Sequence, residues 1–281
     1  FLETSANPYV TELGPKETAT ARLNFSQSFN GVGSMFATLV VGSFLFQSES
    51  AGDGSNAVIP YSIMGALVLL IAIVFSRVNL PEIQHTDDKE TQQGGHNISR
   101  LFKNRSFVFG LSALLAYEVA EISINSYFIN YVTGQGWMEP ATASTVLTVG
   151  LGLFMLARFI GAAVMSNVPA EKYLLICAVG TVACIAVLLL DMGRNISMAA
   201  LMMNYFFEAI MFPTIFALAL RGLGGLTKSA SSILMMTPVG GCGFLLMGYA
   251  ADHAGNFVLP FFIPLVGYAI VMAYAWSTVK K

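Results

Sequence analysis

Carboxyl and amide side chains recur inside stretches of this sequence that are otherwise apolar. They are spaced by three, four or seven residues, which places each group on one face of a helix. The groups are Glu3 with Asn7; Gln27 with Asn30; Glu118, Glu121 and Asn125; and Asn204, Glu208 and Phe212. Carboxylate and amide groups can each form two hydrogen bonds with neighbouring hydroxyls, so this chemistry suits a neutral, polyhydroxylated ligand. An aromatic ring nearby would stack on the apolar face of such a ligand.

Each of these polar residues also has a structural interpretation. A single amide in a membrane-spanning helix often holds two helices together by a hydrogen bond. A single glutamate can be neutralised by a neighbouring cation, and Arg158 is a cation within an apolar stretch. Both interpretations stay open for any one residue. Because Glu, Asn or Gln side chains occur together on four separate stretches, the sequence favours a polar-walled cavity over independent helix contacts.

Catalytic and metal-binding chemistry finds no support in the sequence. All five aspartates and all three histidines lie in loops or at the ends of apolar stretches. Neither an aspartyl nor a serine–histidine catalytic arrangement is therefore expected within a membrane. The three cysteines lie in apolar runs without a C-x-x-C pattern, which is typical of buried thiols. We predict no enzyme, no metal site and no bound cofactor.

The composition is that of a polytopic helical membrane protein. Of the 281 residues, 55% are apolar and 11% are charged, and the mean hydropathy is +0.67. A soluble domain carries roughly 25% charged residues. The net charge of −2 provides no basic field for a nucleic acid. These values exclude a soluble enzyme, a nucleic-acid binder and a disordered chain.

Eight stretches approach the roughly 20 residues that a helix needs to cross a bilayer. They are Leu23–Ser48, Val58–Ser76, Ser106–Tyr131, Ala143–Ser166, Tyr173–Leu190, Ile196–Leu220, Ser229–Ala251 and Val258–Ser277. A partial stretch precedes them at Phe1–Leu13.

Lysine and arginine alternate between successive loops. We number the segments between successive apolar stretches from the N-terminus. The odd-numbered segments and the C-terminal tail hold twelve basic residues, whereas the even-numbered segments hold only Arg194. Short loops rich in Lys and Arg stay in the cytoplasm. We therefore expect segment 49–57 to lie outside and the C-terminus to lie in the cytoplasm. The expected location is the inner or plasma membrane, and the expected oligomeric state is a monomer.

A polar loop at 79–104 divides the chain, with six predicted spans after it. We expect residues 1–78 to be the remainder of an N-terminal six-helix bundle: part of helix four, then helices five and six. Residues 105–281 would form a C-terminal bundle of helices seven to twelve. Two such bundles around a cavity are the major facilitator architecture. The expected fold is an all-α, truncated version of it: a partial helix four and eight complete transmembrane helices.

The opening stretch FLETSANPYVTELGPKETATARLNFSQSFNGVGS resembles the fourth and fifth transmembrane helices of the fucose permease family. Its members are fucose–galactose–glucose proton symporters of the major facilitator superfamily. Later matches follow in order: ARFIGA at 157–162, MFPTIFALALRGLG at 211–224 and SSILMMTPVGGCGFLLMGYAADHAGN at 231–256. The resemblance covers essentially the whole chain and agrees with the span count.

The resemblance implies roles for single residues. Glu3 falls on the acidic residue of helix four that is associated with substrate recognition and proton coupling. Burial disfavours the charged form of such a carboxyl, so it can take up a proton. Gln27 and Asn30 fall on polar residues of helix five that contact sugar, and Glu121 matches a polar position of helix seven. Asn7, Asn125 and Phe212 complete the predicted substrate site.

Two departures from the family pattern bear on the substrate. Phe212 stands where the fucose-transporting branch has a tyrosine, and Glu121 also resembles the glucose/galactose branch more. Glu118 and Glu208 are acidic where relatives are usually uncharged. The implied function is a sugar–proton symporter working by alternating access, with glucose or galactose favoured over L-fucose. The alternative is a membrane sugar sensor or a non-transporting relative with the same fold.

Overall fold

The computed structural model describes residues 2–46, 55–78 and 94–280, and every regular element among them is helical. The α-helices are α1 (Leu2–Glu12), α2 (Ala19–Phe46), α3 (Ser55–Arg77), α4 (Gly94–Lys103), α5 (Arg105–Gly134), α6 (Pro140–Val164), α7 (Ala170–Leu189), α8 (Arg194–Glu208), α9 (Met211–Leu220), α10 (Thr227–Leu234), α11 (Phe244–Ala254) and α12 (Phe262–Val279). Short 3₁₀ segments join several of them.

Helices occupy all eight predicted spans. Among the described residues, six segments are long and apolar enough to cross a membrane: Arg105–Gly134, Pro140–Val164, Ala170–Leu189, Arg194–Leu220, Gly224–His253 and Leu259–Val279. They coincide with the last six predicted spans. Helices α2 and α3 lie at the first two.

The chain divides into two compact units, Phe1–Ser28 with His85–Lys281, and Phe29–Gln84. In the smaller unit, every side chain from residue 61 to 78, which covers most of α3 and the residue after it, is exposed. Most of these side chains are apolar. A helix that is apolar on all faces is typical of a membrane span. The predicted boundaries of two six-helix bundles, 1–78 and 105–281, stay a prediction.

Helix α5 lies at the centre of the larger unit. It packs against α12, α9 and the 3₁₀ segment Thr237–Gly243. Two glycines allow this approach, since an added Cβ would lie 2.6 Å from the Ala116 carbonyl oxygen at Gly267 and 2.9 Å from that of Leu115 at Gly240. These are main-chain contacts that cannot yield, so close packing on α5 requires glycine at both positions.

Prolines interrupt two of the membrane segments. Proline has no N–H and so leaves the carbonyl four residues earlier without its helical partner. Pro213 does this to Ala209, and the helix breaks between α8 and α9 at that point. Pro238 does the same to Leu234, whose carbonyl accepts a hydrogen bond from Thr237 Oγ1 at 2.7 Å instead. Each break therefore has its own compensating donor.

Candidate functional site

Two amide side chains, which we call the amide pair, connect α1 to α2. Asn7 Oδ1 accepts a hydrogen bond from Gln27 Nε2 at 2.7 Å. Asn7 Nδ2 lies 3.7 Å from the sulfur of Met235, which directly follows α10. Both amides are buried, Asn7 at 4% and Gln27 at 8% exposure. Because the pair is neutral, a hydroxyl can replace one amide as partner at little net cost in hydrogen bonding.

One turn earlier on α2, Asn24 makes a different kind of contact. Its Nδ2 donates to Thr214 Oγ1 on α9 and to the Thr20 carbonyl, both at 3.0 Å. Thr214 Oγ1 in turn lies 3.7 Å from the sulfur of Met165, just beyond α6. Asn24 and Thr214 are both fully buried. This contact fits the structural interpretation, an amide that holds helices together.

Arg158 on α6 reaches both α2 and the α8–α9 break. Its Nε donates to the Ala209 carbonyl at 2.8 Å, and its Nη1 donates to the Gln27 carbonyl at 3.2 Å. The guanidinium carbon lies 4.6 Å from the centre of the Phe154 ring, a cation–π distance. The Ala209 carbonyl is the one that Pro213 leaves unpaired. Arg158 thus provides the donor that the Ala209 carbonyl lacks and connects this break to α2, the helix that carries Gln27.

Next to this break lies a set of three fully buried residues, Asn204, Glu208 and Tyr268, which we call the Glu208 cluster. Glu208 Oε2 accepts hydrogen bonds from Asn204 Nδ2 at 2.7 Å and from the Tyr268 hydroxyl. The Asn204 Nδ2 atom also lies 3.3 Å from that hydroxyl. The predicted spacing of four residues between Asn204 and Glu208 does place them on one face. Phe212 lies beyond the break and does not continue the face.

The polar face of α5 points partly toward the same region. Glu121 and Asn125 are half-buried, and Glu118 is buried. Glu121 is within electrostatic reach of both Arg158 and Glu208. The buried oxygen Asn125 Oδ1 has no hydrogen-bond partner among the described residues.

Three further predicted site residues are Phe212, Asn30 and Glu3. Phe212 is half-buried, and its ring stacks on Phe216 at 6.2 Å with an interplanar angle of 20°. Asn30 is exposed and belongs to the smaller unit. Glu3 lies on α1, but its side chain is outside the described residues. The structure therefore joins Asn7 to Gln27 directly and places Glu121 near the Glu208 cluster.

Sequence reasoning missed two of the residues that organise the site. One interpretation left open in the sequence paired Arg158 with a glutamate, and its position beside Ala209 and Gln27 was not predicted; within the described region both of its hydrogen bonds go to main-chain carbonyls. Pro213 was the available signal, since it leaves one carbonyl in need of a donor. Tyr268 gave no signal, because it comes from α12 and meets Glu208 only through tertiary packing.

Several buried polar atoms in the described region have no hydrogen-bond partner. They include Asn204 Oδ1, Tyr205 Oη and Glu208 Oε1. Such atoms are rare in folded proteins and mark places where water, a proton or a ligand binds. In that region no group of three or more His, Cys, Asp or Glu residues could hold a metal ion. The polar interior is thus suited to neutral hydrogen-bonding ligands and to protons.

An all-helical chain with membrane-spanning helices, broken segments and an inward polar face is typical of a secondary transporter. Comparison with known sequences agrees, since a sequence model of the Major Facilitator Superfamily matches residues 1–244. The chain belongs to this superfamily and, within it, to the fucose permease family.

The relatives behind this assignment are sugar transporters. The chain is 30% identical to the L-fucose-proton symporter of Escherichia coli K12, over 98% of this chain and 68% of the symporter. It is 33% identical to a glucose/galactose transporter of Brucella abortus, over 98% and 67% of the two chains. A crystal structure of the Escherichia coli fucose:proton symporter has a TM-score of 0.89 at 30% identity, covering 98% of this chain and 72% of that one.

These comparisons confirm three predictions. The fold is the all-α fold of the major facilitator superfamily. The chain is a multi-pass membrane protein. It belongs to a family of transporters and not to a family of enzymes.

Proposed function

We propose that the protein moves a sugar and a proton together across the membrane, with its cavity opening alternately to each side. The observation that carries this proposal is the amide pair, two buried neutral side chains that meet between α1 and α2. Family membership supports it, because the relatives named above are sugar transporters or sugar–proton symporters.

The proposed sugar site contains Asn7, Gln27, Asn30, Glu121, Asn125 and Phe212. Amide and carboxylate groups from α1, α2 and α5 would bond to the sugar hydroxyls, and Phe212 would cover an apolar face. Glu3, one turn before Asn7 on α1, is the proposed proton-coupling residue. The proton is the coupling ion, and no other cofactor is involved.

We further propose glucose or galactose as the sugar rather than L-fucose. Phenylalanine at position 212 and glutamate at position 121 carry this preference. Overall identity does not decide it, since the chain is 30% identical to the fucose symporter and 33% identical to the glucose/galactose transporter.

Uptake by the protein in proteoliposomes tests the proposal. An inward pH gradient should drive radiolabelled glucose or galactose to a concentration above that outside, and collapse of the gradient should abolish the accumulation. Binding of sugar without any transport would instead identify a sugar sensor. Absence of binding for all three sugars would contradict the proposal.

We also propose the orientation given by the basic residues, with the C-terminus in the cytoplasm. Glu139 and Asn167 are both exposed and lie in successive loops. In a variant without native cysteines, E139C should react with a membrane-impermeant maleimide on intact cells and N167C should not. The reverse labelling pattern would invert the topology.

A further inference from the structure

Glu208 is buried in a way that a charged carboxylate does not tolerate well. It lies within a membrane segment, and its exposed fraction is 0%. An isolated carboxylate in such a place costs several kcal/mol unless charged or multiple donors compensate it. How the two carboxyl oxygens are bonded therefore indicates which protonation state the site accommodates.

The two oxygens of Glu208 have different surroundings. Both donors, Asn204 Nδ2 and the Tyr268 hydroxyl, converge on Oε2. Oε1 is buried without a hydrogen-bond partner among the described residues. A neutral carboxylic acid fits this asymmetry better than a carboxylate, because its carbonyl oxygen accepts both hydrogen bonds and its other oxygen carries the proton without leaving a buried charge. A carboxylate would leave a charged oxygen buried without a donor, which costs more free energy than a neutral hydroxyl in the same place.

The charges around Glu208 also favour a bound proton. Glu208 and Glu121 interact electrostatically with each other and with one guanidinium, that of Arg158. Among these three groups, two carboxylates and one guanidinium leave one negative charge, which a single proton neutralises. Among the described residues, the titratable groups Tyr117, Cys184, Tyr205 and Tyr268 also lie within electrostatic reach of Glu208.

The proton belongs on Glu208 rather than on Glu121. Glu208 has no exposed surface, whereas part of the Glu121 side chain is exposed. Both donors to Glu208 are neutral groups. Within the part of the chain that the structure describes, Arg158 donates its hydrogen bonds to the carbonyls of Ala209 and Gln27.

We propose that Glu208 is a second proton-binding residue of the transport cycle, separate from Glu3. This inference rests on the proposed sugar–proton symport. Glu208 holds a proton in the present conformation and releases it to water when the α8–α9 break moves. Arg158 provides the link, since it bonds the carbonyl next to Glu208 and also the carbonyl of Gln27 in the amide pair. A backbone movement at Gln27, in the amide pair, is thereby transmitted through Arg158 to the main chain next to Glu208.

Infrared spectroscopy of the protein in detergent at neutral pH tests the bound proton. The wild-type protein should show the carbonyl band of a protonated carboxylic acid, and E208Q should lack it. Tyr268→Phe should keep the band but shift it to higher frequency, because the carbonyl oxygen loses a donor. E139Q, the same change at an exposed glutamate, should leave the band unaltered. An unchanged band in E208Q would overturn the proposal.

Transport by E208Q tests whether the proton moves during the cycle. Each coupled proton contributes a factor of about ten in sugar accumulation for a gradient of about one pH unit. E208Q should therefore accumulate about tenfold less sugar across such a gradient, and its proton-to-sugar ratio should fall by one. Sugar-for-sugar exchange should persist.

The outcomes separate this inference from the proposed function. Loss of the band with an unchanged proton-to-sugar ratio would show a static proton and overturn the transport role of Glu208. Failure of the wild-type protein to bind or exchange any sugar would instead refute the sugar–proton symport itself, whatever the infrared band shows.

Discussion

The amide pair and the Glu208 cluster are two buried polar sites with opposite hydrogen-bonding balance. In the amide pair, Asn7 and Gln27 are neutral and satisfy each other with one donor and one acceptor. In the Glu208 cluster, an ionisable carboxyl has two donors on one oxygen and none on the other. The first arrangement exchanges partners readily with hydroxyls, whereas the second depends on a proton. The comparison indicates that the amide pair is suited to binding a sugar and the Glu208 cluster to binding a proton.

Arg158 is the structural connection between the two sites. It bonds the main chain of Gln27 on one side and of Ala209, next to Glu208, on the other. Both acceptors are main-chain carbonyls, so the connection is to the backbone of each site and leaves the polar side chains available. A backbone movement at one site can therefore affect the other site, while the side-chain hydrogen bonds of both sites stay in place.

Glu3→Gln should have the largest effect on transport, because Glu3 is the proposed proton-coupling residue and lies one turn from Asn7. The glutamine mimics the protonated acid, so the variant should lose the pH-driven accumulation that the Glu3 proton contributes and keep part of its sugar-for-sugar exchange. Both assays are run side by side in proteoliposomes. Normal accumulation would remove Glu3 from the mechanism and leave Glu118, Glu121 and Glu208 as candidate carriers.

Arg158→Leu should break the connection between the two sites. Two carbonyls lose their donor and two nearby carboxyls lose their cation, and removal of one partner of a buried charge network costs about 3–5 kcal/mol. Chemical denaturation in detergent should show a loss of this order. Arg194→Leu, at an exposed arginine, should change stability by less than about 0.5 kcal/mol. Wild-type stability of the Arg158 variant would show that the two sites are independent.

Local sequence patterns were sufficient for the helices and for the short-range contacts. Apolar runs predicted the membrane segments, and the spacing of four residues predicted the shared face of Asn204 and Glu208. Pro213 predicts a break and an unpaired carbonyl at Ala209. In all these cases the relevant interaction spans no more than a few turns of one helix.

Tertiary contacts of the same site could not be predicted in this way. Arg158 lies 51 residues from Ala209 and 131 residues from Gln27 in the sequence. Tyr268 lies 60 residues from Glu208. Which of several polar residues a buried group meets depends on how helices pack, and helical periodicity carries no information about that packing.

Glu121→Ala should weaken sugar binding while leaving the fold intact. A carboxylate that accepts sugar hydroxyls makes a charge-assisted contact worth about 1.5–3 kcal/mol, so affinity should fall roughly ten- to a hundredfold. Equilibrium binding of radiolabelled sugar measures this, with Glu139→Ala as the control at an exposed glutamate. Unchanged affinity together with loss of folded protein would favour the structural ion-pair interpretation. Glu121 would then belong to the charge network around Glu208 and not to the sugar site.

Phe212→Tyr should have the smallest effect and concerns only the identity of the sugar. Phe212 is half-buried and stacks on Phe216, so a para hydroxyl can be added without disturbing the fully buried core. By resemblance, tyrosine here accompanies fucose transport, and one added hydrogen bond is worth about 1 kcal/mol. Competition binding should therefore shift preference toward L-fucose by less than about tenfold relative to glucose. Phe244→Tyr, at an exposed phenylalanine, should leave the preference unchanged. A shift toward glucose would show that position 212 does not distinguish the two sugars as proposed.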